Sequence, residues 1–289
     1  MVEGRCLCGA VRYTVEGPYT RMLHCHCSMC RKHHGSAFAT FVTVPSSQFK
    51  WVSGEVNVAN YQPSPEGARA FCRVCGSVAP TAAPELGLVF LPAGNLDGEI
   101  GLEPQGHIFV GSKAPWYTIT DDLPQHDMYP PEFVGAVATE RPALDPPSPG
   151  VVRGSCLCGD VAFELRGTPL RMTNCHCSRC RRGRSAAHAT NLVYPLDAFS
   201  WVRGESQVAD FPLPDARYFA TAFCRRCGSD VARVSTERQL VVVPAGSLDD
   251  DPGARPEQHI FTGSKAPWFR ITDSLPQRVE GPPPSEKAP

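Results

Sequence analysis

The sequence predicts an all-β fold built from two tandem copies of one small domain. Glycine and proline, with 25 and 29 of the 289 residues, form about a fifth of the chain, a share that disfavours long helices and favours turns between short strands. Apolar residues alternate with polar ones at Val11, Tyr13 and Val15, a pattern typical of a half-buried strand. The third observation is an internal repeat, which predicts the domain organisation.

Distinctive segments of the first half return in the second half. Residues 6–9 (Cys-Leu-Cys-Gly) recur at 156–159, residues 111–116 (Gly-Ser-Lys-Ala-Pro-Trp) recur at 263–268, and all fourteen cysteines fall into matched pairs. A repeat period of about 150 residues indicates two copies of a whole domain rather than a solenoid. We predict copy one over residues 1–134, a proline-rich linker over 135–150, copy two over 151–278 and a disordered tail over 279–289. Fusion of an ancestral homodimer would make the copies pack face to face as a pseudo-dimer.

Each copy contains further strand signals. Val161, Phe163 and Leu165 repeat the alternation of copy one. The apolar runs Leu86–Leu91 and Leu240–Val243 each end close to a Pro-Ala-Gly turn, which predicts buried strands. Only the stretch after each Cys-His-Cys sequence (residues 25–27 and 175–177) could hold a helical turn.

Composition and charge exclude several classes of protein. The net charge of −1 gives no overall field for nucleic acid or an anionic membrane. No apolar run reaches the ~18 residues that span a bilayer, and the N-terminus has no secretory signal pattern. We therefore expect a cytoplasmic protein with neither a membrane nor a nucleic-acid partner.

Cysteines are abundant for such a compartment, which favours metal ligation over disulfides. Each copy has three clusters: Cys-x-Cys-Gly, Cys-His-Cys-x-x-Cys and Cys-x-x-Cys-Gly. The first and last clusters of a copy together could form a closed four-sulfur zinc site, and closed sites of this kind are structural. The predicted ligands are Cys6, Cys8, Cys72 and Cys75 in copy one, and Cys156, Cys158, Cys224 and Cys227 in copy two.

Three cysteines remain in each copy, and they predict a second kind of zinc site. They are Cys25, Cys27 and Cys30 (the copy-one triad) and Cys175, Cys177 and Cys180 (the copy-two triad). Three thiolates can hold zinc and leave its fourth position to water or substrate, which is the mark of a catalytic zinc. The sequence therefore predicts up to four Zn²⁺ per chain, two per domain, with the triads as catalytic residues.

Other interpretations of the clusters stay open at this point. The cysteines could form disulfides or hold an iron–sulfur cluster. Alternatively, His26 and His176 could close the triads as fourth ligands, which would make every site structural. An arginine-rich stretch follows the second triad and could bind substrate carboxylates or form a solvated basic face; it contains Arg179, Arg181, Arg182 and Arg184.

The sequence resembles the glutathione-dependent formaldehyde-activating enzyme family, which also includes centromere protein V. The matching segments in copy one are Cys6–Gly9, Cys25–Arg31, Val44–Pro45, Phe49–Val52, Phe71–Ser77, His107–Ile108 and Ser112–Trp116. This resemblance implies a zinc-bound β-tent fold in which the four-cysteine zinc is structural and the three-cysteine zinc is catalytic. It also implies a carbon–sulfur lyase-type chemistry that joins formaldehyde to glutathione.

Two features depart from the family pattern. The chain is a covalent tandem, and only copy one keeps Gly35-Ser36-Ala37-Phe38 after its triad, so copy one is closer to the family. We expect a small-molecule carbonyl or thiol substrate and either a monomeric pseudo-dimer or a homo-oligomer. The alternatives are a zinc Lewis-acid enzyme that hydrolyses or cyclises another carbonyl or imine substrate, and a non-catalytic zinc scaffold or binding module.

Overall fold

A computed structural model describes residues 1–64, 67–131, 133 and 145–281. Short strands dominate these residues, which confirms the all-β class. The predicted boundaries of the two domains stay predictions, because residues 135–144 of the linker and 282–289 of the tail lie outside the described residues. No helix in the described residues is long and apolar enough to cross a membrane.

Copy one contains eleven strands and one α-helix within its described residues. They are β1 (Val2–Arg5), β2 (Arg12–Val15), β3 (Arg21–Cys25), α1 (Ser28–His34), β4 (Ala39–Pro45), β5 (Phe49–Ser53), β6 (Val58–Ser64), β7 (Gly67–Cys72), β8 (Thr81–Ala83), β9 (Leu88–Pro92), β10 (His107–Ile108) and β11 (Gln125–His126). One sheet has the order β1-β2-β5, a second has the order β11-β10-β3-β4-β9-β8, and β6 pairs with β7 as a separate hairpin. Strand β3 is antiparallel to β4 and parallel to β10, so it lies inside the larger sheet.

Copy two repeats this arrangement. Its elements are β12 (Val151–Ser155), β13 (Ala162–Arg166), β14 (Arg171–Cys175), α2 (Ser178–Arg184), β15 (Ala189–Pro195), β16 (Phe199–Arg203), β17 (Val208–Pro212), β18 (Ala220–Cys224), β19 (Arg233–Ser235), β20 (Leu240–Pro244) and β21 (His259–Ile260). Its sheets have the orders β12-β13-β16 and β19-β20-β15-β14-β21, with β17 and β18 as the separate hairpin. Both helices begin directly after a Cys-His-Cys sequence, where the sequence predicted a helical turn, and each contains the third cysteine of its triad.

The predicted strand alternation is confirmed by burial. Tyr13 and Val15 on β2, and Phe163 and Leu165 on β13, are buried in one core cluster that contains residues of both copies. One predicted strand boundary is wrong: Leu86 is 61% exposed and ends a 3₁₀ turn over Pro84–Leu86. Strand β9 starts only at Leu88, because the proline favours a turn and the following glycine has the left-handed φ of 64° that ends it.

The two copies contact each other reciprocally. Lys32 on α1 forms an ion pair with Asp249 of copy two, and Arg182 on α2 forms an ion pair with Asp97 of copy one. Each helix C-terminus also packs against the Pro-Ala-Gly turn of the other copy. A Cβ on Gly246 of copy two would lie 2.3 Å from the backbone of copy one, and a Cβ on Gly94 of copy one would lie 2.3 Å from the backbone of copy two. Pairs of equivalent contacts are the signature of an isologous interface, so the described parts of the copies form a pseudo-dimer.

Candidate metal centres

Four cysteines from distant segments converge at each predicted four-sulfur site. The sulfurs of Cys6, Cys8, Cys72 and Cys75 all lie within 4.8 Å of one another, and so do their four equivalents in copy two. The Sγ–Sγ distance is 3.4 Å between Cys6 and Cys8 and 3.8 Å between Cys8 and Cys72. Metal–sulfur bonds of ~2.3 Å in a tetrahedron give edges of about 3.8 Å, so the four sulfurs fit a tetrahedral ion.

Backbone geometry explains why these residues meet. Gly76 has φ of 77° and its N–H donates to the Cys72 carbonyl (2.9 Å), which forms the tight turn between Cys72 and Cys75. The Ser77 hydroxyl accepts the Leu7 N–H at 3.0 Å and thereby ties this turn to the N-terminal cluster. Each four-sulfur set thus joins the start of its copy to the β6–β7 or β17–β18 hairpin.

Each triad comes from one short strand-to-helix segment. Cys25 is the last residue of β3, Cys27 is the N-cap of α1, and Cys30 lies in the first turn of that helix. The Cys30 N–H donates to Cys27 Sγ at 3.3 Å, and the equivalent Cys180 N–H donates to Cys177 Sγ at the same distance. In each triad all three sulfurs lie within 4.8 Å of one another.

The electrostatics of the triads favour a cation among the sulfurs. Hydrogen bonds from Cys25 and Cys30 hold the pKa of Cys27 well below its usual value, while hydrogen bonding to Cys27 and Cys30 raises the pKa of Cys25 well above it. In copy two, hydrogen bonds from Cys175 and Cys180 lower the pKa of Cys177 to about 3. Three thiols at this spacing cannot all ionise unaided, whereas a divalent ion stabilises all three thiolates. The donor sets therefore fit a thiolate-binding metal ion.

Histidine closure of the triads is wrong. His26 Nε2 is 2.8 Å from His107 Nδ1. Neither ring nitrogen of His26 joins the triad sulfurs as a potential ligand atom within 4.8 Å of all three. His107 Nε2 in turn lies 3.0 Å from Asp121, and His176, His259 and Asp273 form the same chain in copy two. Burial lowers the pKa of His26 to about 3, so this ring is neutral. A residue between two ligands points away from the metal and here anchors the segment instead.

Two other sequence interpretations also change. All fourteen cysteines are free, so the disulfide interpretation is wrong. The arginines near the second triad are largely interface residues: Arg181 Nη1 donates to the Gly94 carbonyl at 3.2 Å, Arg182 pairs with Asp97, and Arg184 pairs with the buried Asp230. Neither a carboxylate-binding cluster nor a solvated face describes these three side chains.

Sequence reasoning missed the residues that surround the copy-one triad. Arg69 on β7 points Nη2 at Cys30 Sγ across 3.8 Å, and Tyr129 packs against the cluster of buried residues that includes the triad and Phe109. The available signal was a single arginine in the hairpin of copy one where copy two has Thr221.

Fold and sites together define a tandem all-β protein with four cysteine clusters that could each hold a metal ion. The chain belongs to the glutathione-dependent formaldehyde-activating enzyme family, whose model matches residues 1–112 and 151–264, well over half of the sequence. A curated protein of Halomonas elongata, provisionally named a glutathione-dependent formaldehyde-activating enzyme, is 30% identical over 129 residues, which cover 41% of this chain and 81% of that protein. A crystal structure of a Rhodobacter sphaeroides protein is 26% identical and covers 36% of this chain and 97% of that chain, with a TM-score of 0.29.

Proposed function

We propose that the chain is a zinc-dependent enzyme that adds a thiol to an aldehyde carbonyl, or eliminates it again, at its cysteine triads. Family membership supports this proposal, and the observation that carries it is the convergence of three thiols from one short segment in each copy. Within the described residues no fourth histidine, cysteine or carboxylate completes either triad, so a substrate could take the fourth position. We further propose that the substrate is a small molecule with a thiol group like that of glutathione. We also propose that the protein acts in the cytoplasm, where free thiols persist.

Cys25, Cys27 and Cys30 would hold the ion in copy one, and Cys175, Cys177 and Cys180 would hold it in copy two. A bound zinc supplies Lewis-acid chemistry, by which a thiol stays deprotonated or a carbonyl is polarised near neutral pH. In the addition, the thiol sulfur forms a bond to the carbonyl carbon, the C=O π electrons move to oxygen, and the proton lost by the thiol ends on that oxygen. Elimination is the reverse.

The residues around the copy-one triad hold its cysteines in place and shield them from solvent. The His107 Nε2–H group donates a hydrogen bond to Asp121, so His107 Nδ1 is free to accept one from His26 Nε2. This chain of hydrogen bonds orients the peptide between Cys25 and Cys27. Phe109 and Tyr129, whose ring centroids lie 4.8 Å apart, pack in the apolar cluster that contains the triad. The four-sulfur sets hold the surrounding hairpins in place.

Metal analysis and two single substitutions test the proposal. We expect about four zinc ions per chain, and not iron, in protein purified without chelator. Cys27→Ser and Cys177→Ser should each remove one ion, and the double variant should lose catalysis of adduct formation between glutathione and formaldehyde, measured by NMR above the uncatalysed rate. Unchanged catalysis in the double variant would contradict the enzyme proposal. Absence of catalysis in the intact zinc-loaded chain would favour a zinc scaffold or another carbonyl substrate.

A further inference from the structure

The two triads lie in different electrostatic surroundings. In copy one, Arg69 Nη2 lies 3.8 Å from Cys30 Sγ, and Nη1 donates to the Ala68 carbonyl at 2.9 Å. The Nε of Arg69 is buried and has no hydrogen-bond partner among the described residues. Arg69 thus places a buried guanidinium, with one donor still unpaired among the described residues, directly beside the sulfurs of the copy-one triad.

Copy two has no cation at the equivalent position. Arg69 pairs with Tyr61 across the β6–β7 hairpin, as Thr221 pairs with Phe211 across the β17–β18 hairpin, so the two positions correspond. The Thr221 hydroxyl donates to the Cys75 carbonyl of copy one at 2.9 Å and serves the interface instead. The copy-two triad therefore lacks the contact that Arg69 makes.

The triads also differ in how well they are covered. The copy-one cysteines are 4–6% exposed, and Phe109 and Tyr129 pack beside them. At the equivalent positions copy two has Phe261, which is 36% exposed, and Gly281, and both Cys177 and Cys180 are half-buried. Low solvent exposure weakens screening, so the charge of Arg69 acts more strongly on its triad than it would at a surface.

A cavity of about 340 Å³ lies along the same face of β3 as the copy-one triad. Arg21 and Leu23 line it, and they alternate with buried residues along the strand so that they share a face with Cys25. Leu23 also packs against the cluster that contains the triad. The cavity is therefore next to the cluster that contains the triad, although none of the triad cysteines lines it.

Charge balance assigns a role to Arg69. Three thiolates and one divalent ion carry a net charge of −1; water as fourth ligand leaves that charge unchanged, whereas a thiolate raises it to −2. Building up negative charge in a buried place is costly unless a cation is adjacent. Copy one supplies that cation from its hairpin as Arg69, whose Nη2 points at Cys30 Sγ. In copy two the hairpin supplies none, and Arg181, whose charge interacts with Cys177, has its Nη1 engaged by the Gly94 carbonyl across the interface.

We propose that Arg69 makes the copy-one triad the thiolate-binding site of the chain, and that the copy-two triad binds thiols far more weakly. This inference rests on the proposed function, because it requires a metal ion at the triads. It makes Arg69 a specificity-determining residue for an anionic sulfur ligand.

The test is thiol binding to the full chain loaded with Co²⁺, which takes the same tetrahedral thiolate sites and gains charge-transfer absorption with each added sulfur ligand. 2-Mercaptoethanol is titrated into Cys177→Ser, which keeps only the copy-one triad, and into Cys27→Ser, which keeps only the copy-two triad. We expect the apparent Kd to be about 10- to 100-fold lower for the copy-one triad, the range of a charged hydrogen bond. Equal affinity at the two triads would overturn the inference.

A substitution at Arg69 isolates its charge. In the Cys177→Ser chain, Arg69→Met should raise the apparent Kd by a similar factor, while Arg69→Lys should restore most of the affinity and the exposed Arg12→Met should have no effect. If the Arg69→Met chain no longer binds cobalt, two other comparisons decide the matter. They are the thiol affinity of the copy-one triad against that of the copy-two triad, and the thiol affinity of Arg69→Lys against that of the chain with Arg69. Thiol binding without adduct formation from formaldehyde would contradict the proposed function alone. An apparent Kd that does not depend on the charge at position 69 would contradict only the inference.

Discussion

Lys32 offers the most direct test of how the two copies hold together. The side chain is 3% exposed although it carries a charge, and it reaches from α1 into copy two. Its Nζ lies 2.6 Å from Asp249 Oδ1 and donates to the Ser247 carbonyl at 2.7 Å and to the Ser155 carbonyl at 2.9 Å. The Ser155 hydroxyl also donates to Asp249 at 2.7 Å, so a single buried network joins the copies.

Lys32→Met keeps most of the aliphatic length and removes the ammonium group. Asp249, whose side chain is 7% exposed, then keeps the Ser155 hydroxyl as a donor but loses its ion pair with Lys32. Breaking a buried ion pair by removing one partner costs about 3–5 kcal/mol, because the remaining charge is left uncompensated. We expect the free energy of unfolding of the metal-loaded chain to fall by that amount in urea titrations.

Two further variants separate this effect from trivial ones. Lys50→Met removes an exposed lysine and should change the free energy of unfolding by less than about 0.5 kcal/mol. Lys32→Met combined with Asp249→Asn should lose less than the sum of the two single changes, because the uncompensated charge is gone. A loss below about 1 kcal/mol for Lys32→Met, or strict additivity in the double variant, would refute the idea that this network carries the interface.

Three other outcomes are expected. Cys72→Ser should lower the melting temperature well below that of Cys27→Ser, since the first residue ties a hairpin to the N-terminus and the second closes only a local segment; equal melting temperatures would contradict this. Gly246→Ala should cost about 1–3 kcal/mol, because its Cβ would lie 2.3 Å from the backbone at the end of α1, whereas Gly111→Ala, with its nearest atom at 3.5 Å, should cost little in the same urea titrations. Burial lowers the pKa of His188 to about 3 from 6.5, so the folded state disfavours the protonated ring and loses stability as the pH falls below 6.5. His188→Phe, the residue type found at this place in copy one, should avoid a loss of about 2 kcal/mol at pH 5, and an unchanged stability difference between pH 7 and pH 5 would contradict it.

The cysteine sets could be predicted from the sequence because ligand spacing is a local property and the repeat supplied an internal check. Strands such as β2 and β13 were predictable for a similar reason, since alternation of apolar residues records which face is buried. The start of β9 was missed because an apolar run does not reveal that Pro84 and Gly87 place a 3₁₀ turn inside it.

The surroundings of charged residues could not be predicted in the same way. Arg182 and Arg184 lie in a run of basic residues that is typical of a solvated face, yet each pairs with an aspartate that is distant in sequence. Arg69 is separated from Cys30 by almost forty residues of sequence, and only the hairpin brings them together. Such contacts depend on how β-strands from different segments assemble, which local pattern does not specify.

Covalent fusion gives a physical reason why the triads can differ at all. In a homodimer every residue occurs in both halves, so a cation at the position of Arg69 would face both triads. The fused chain is free of this constraint: the equivalent helix positions hold Lys32 and Arg182, which differ in type but pair with equivalent aspartates across the interface. The difference is larger at the position of Arg69. Copy two has Thr221 there, and its hydroxyl donates to the backbone of copy one instead of contacting the copy-two triad. One copy can therefore keep a charged, covered triad while the hairpin of the other copy strengthens the interface on which both depend.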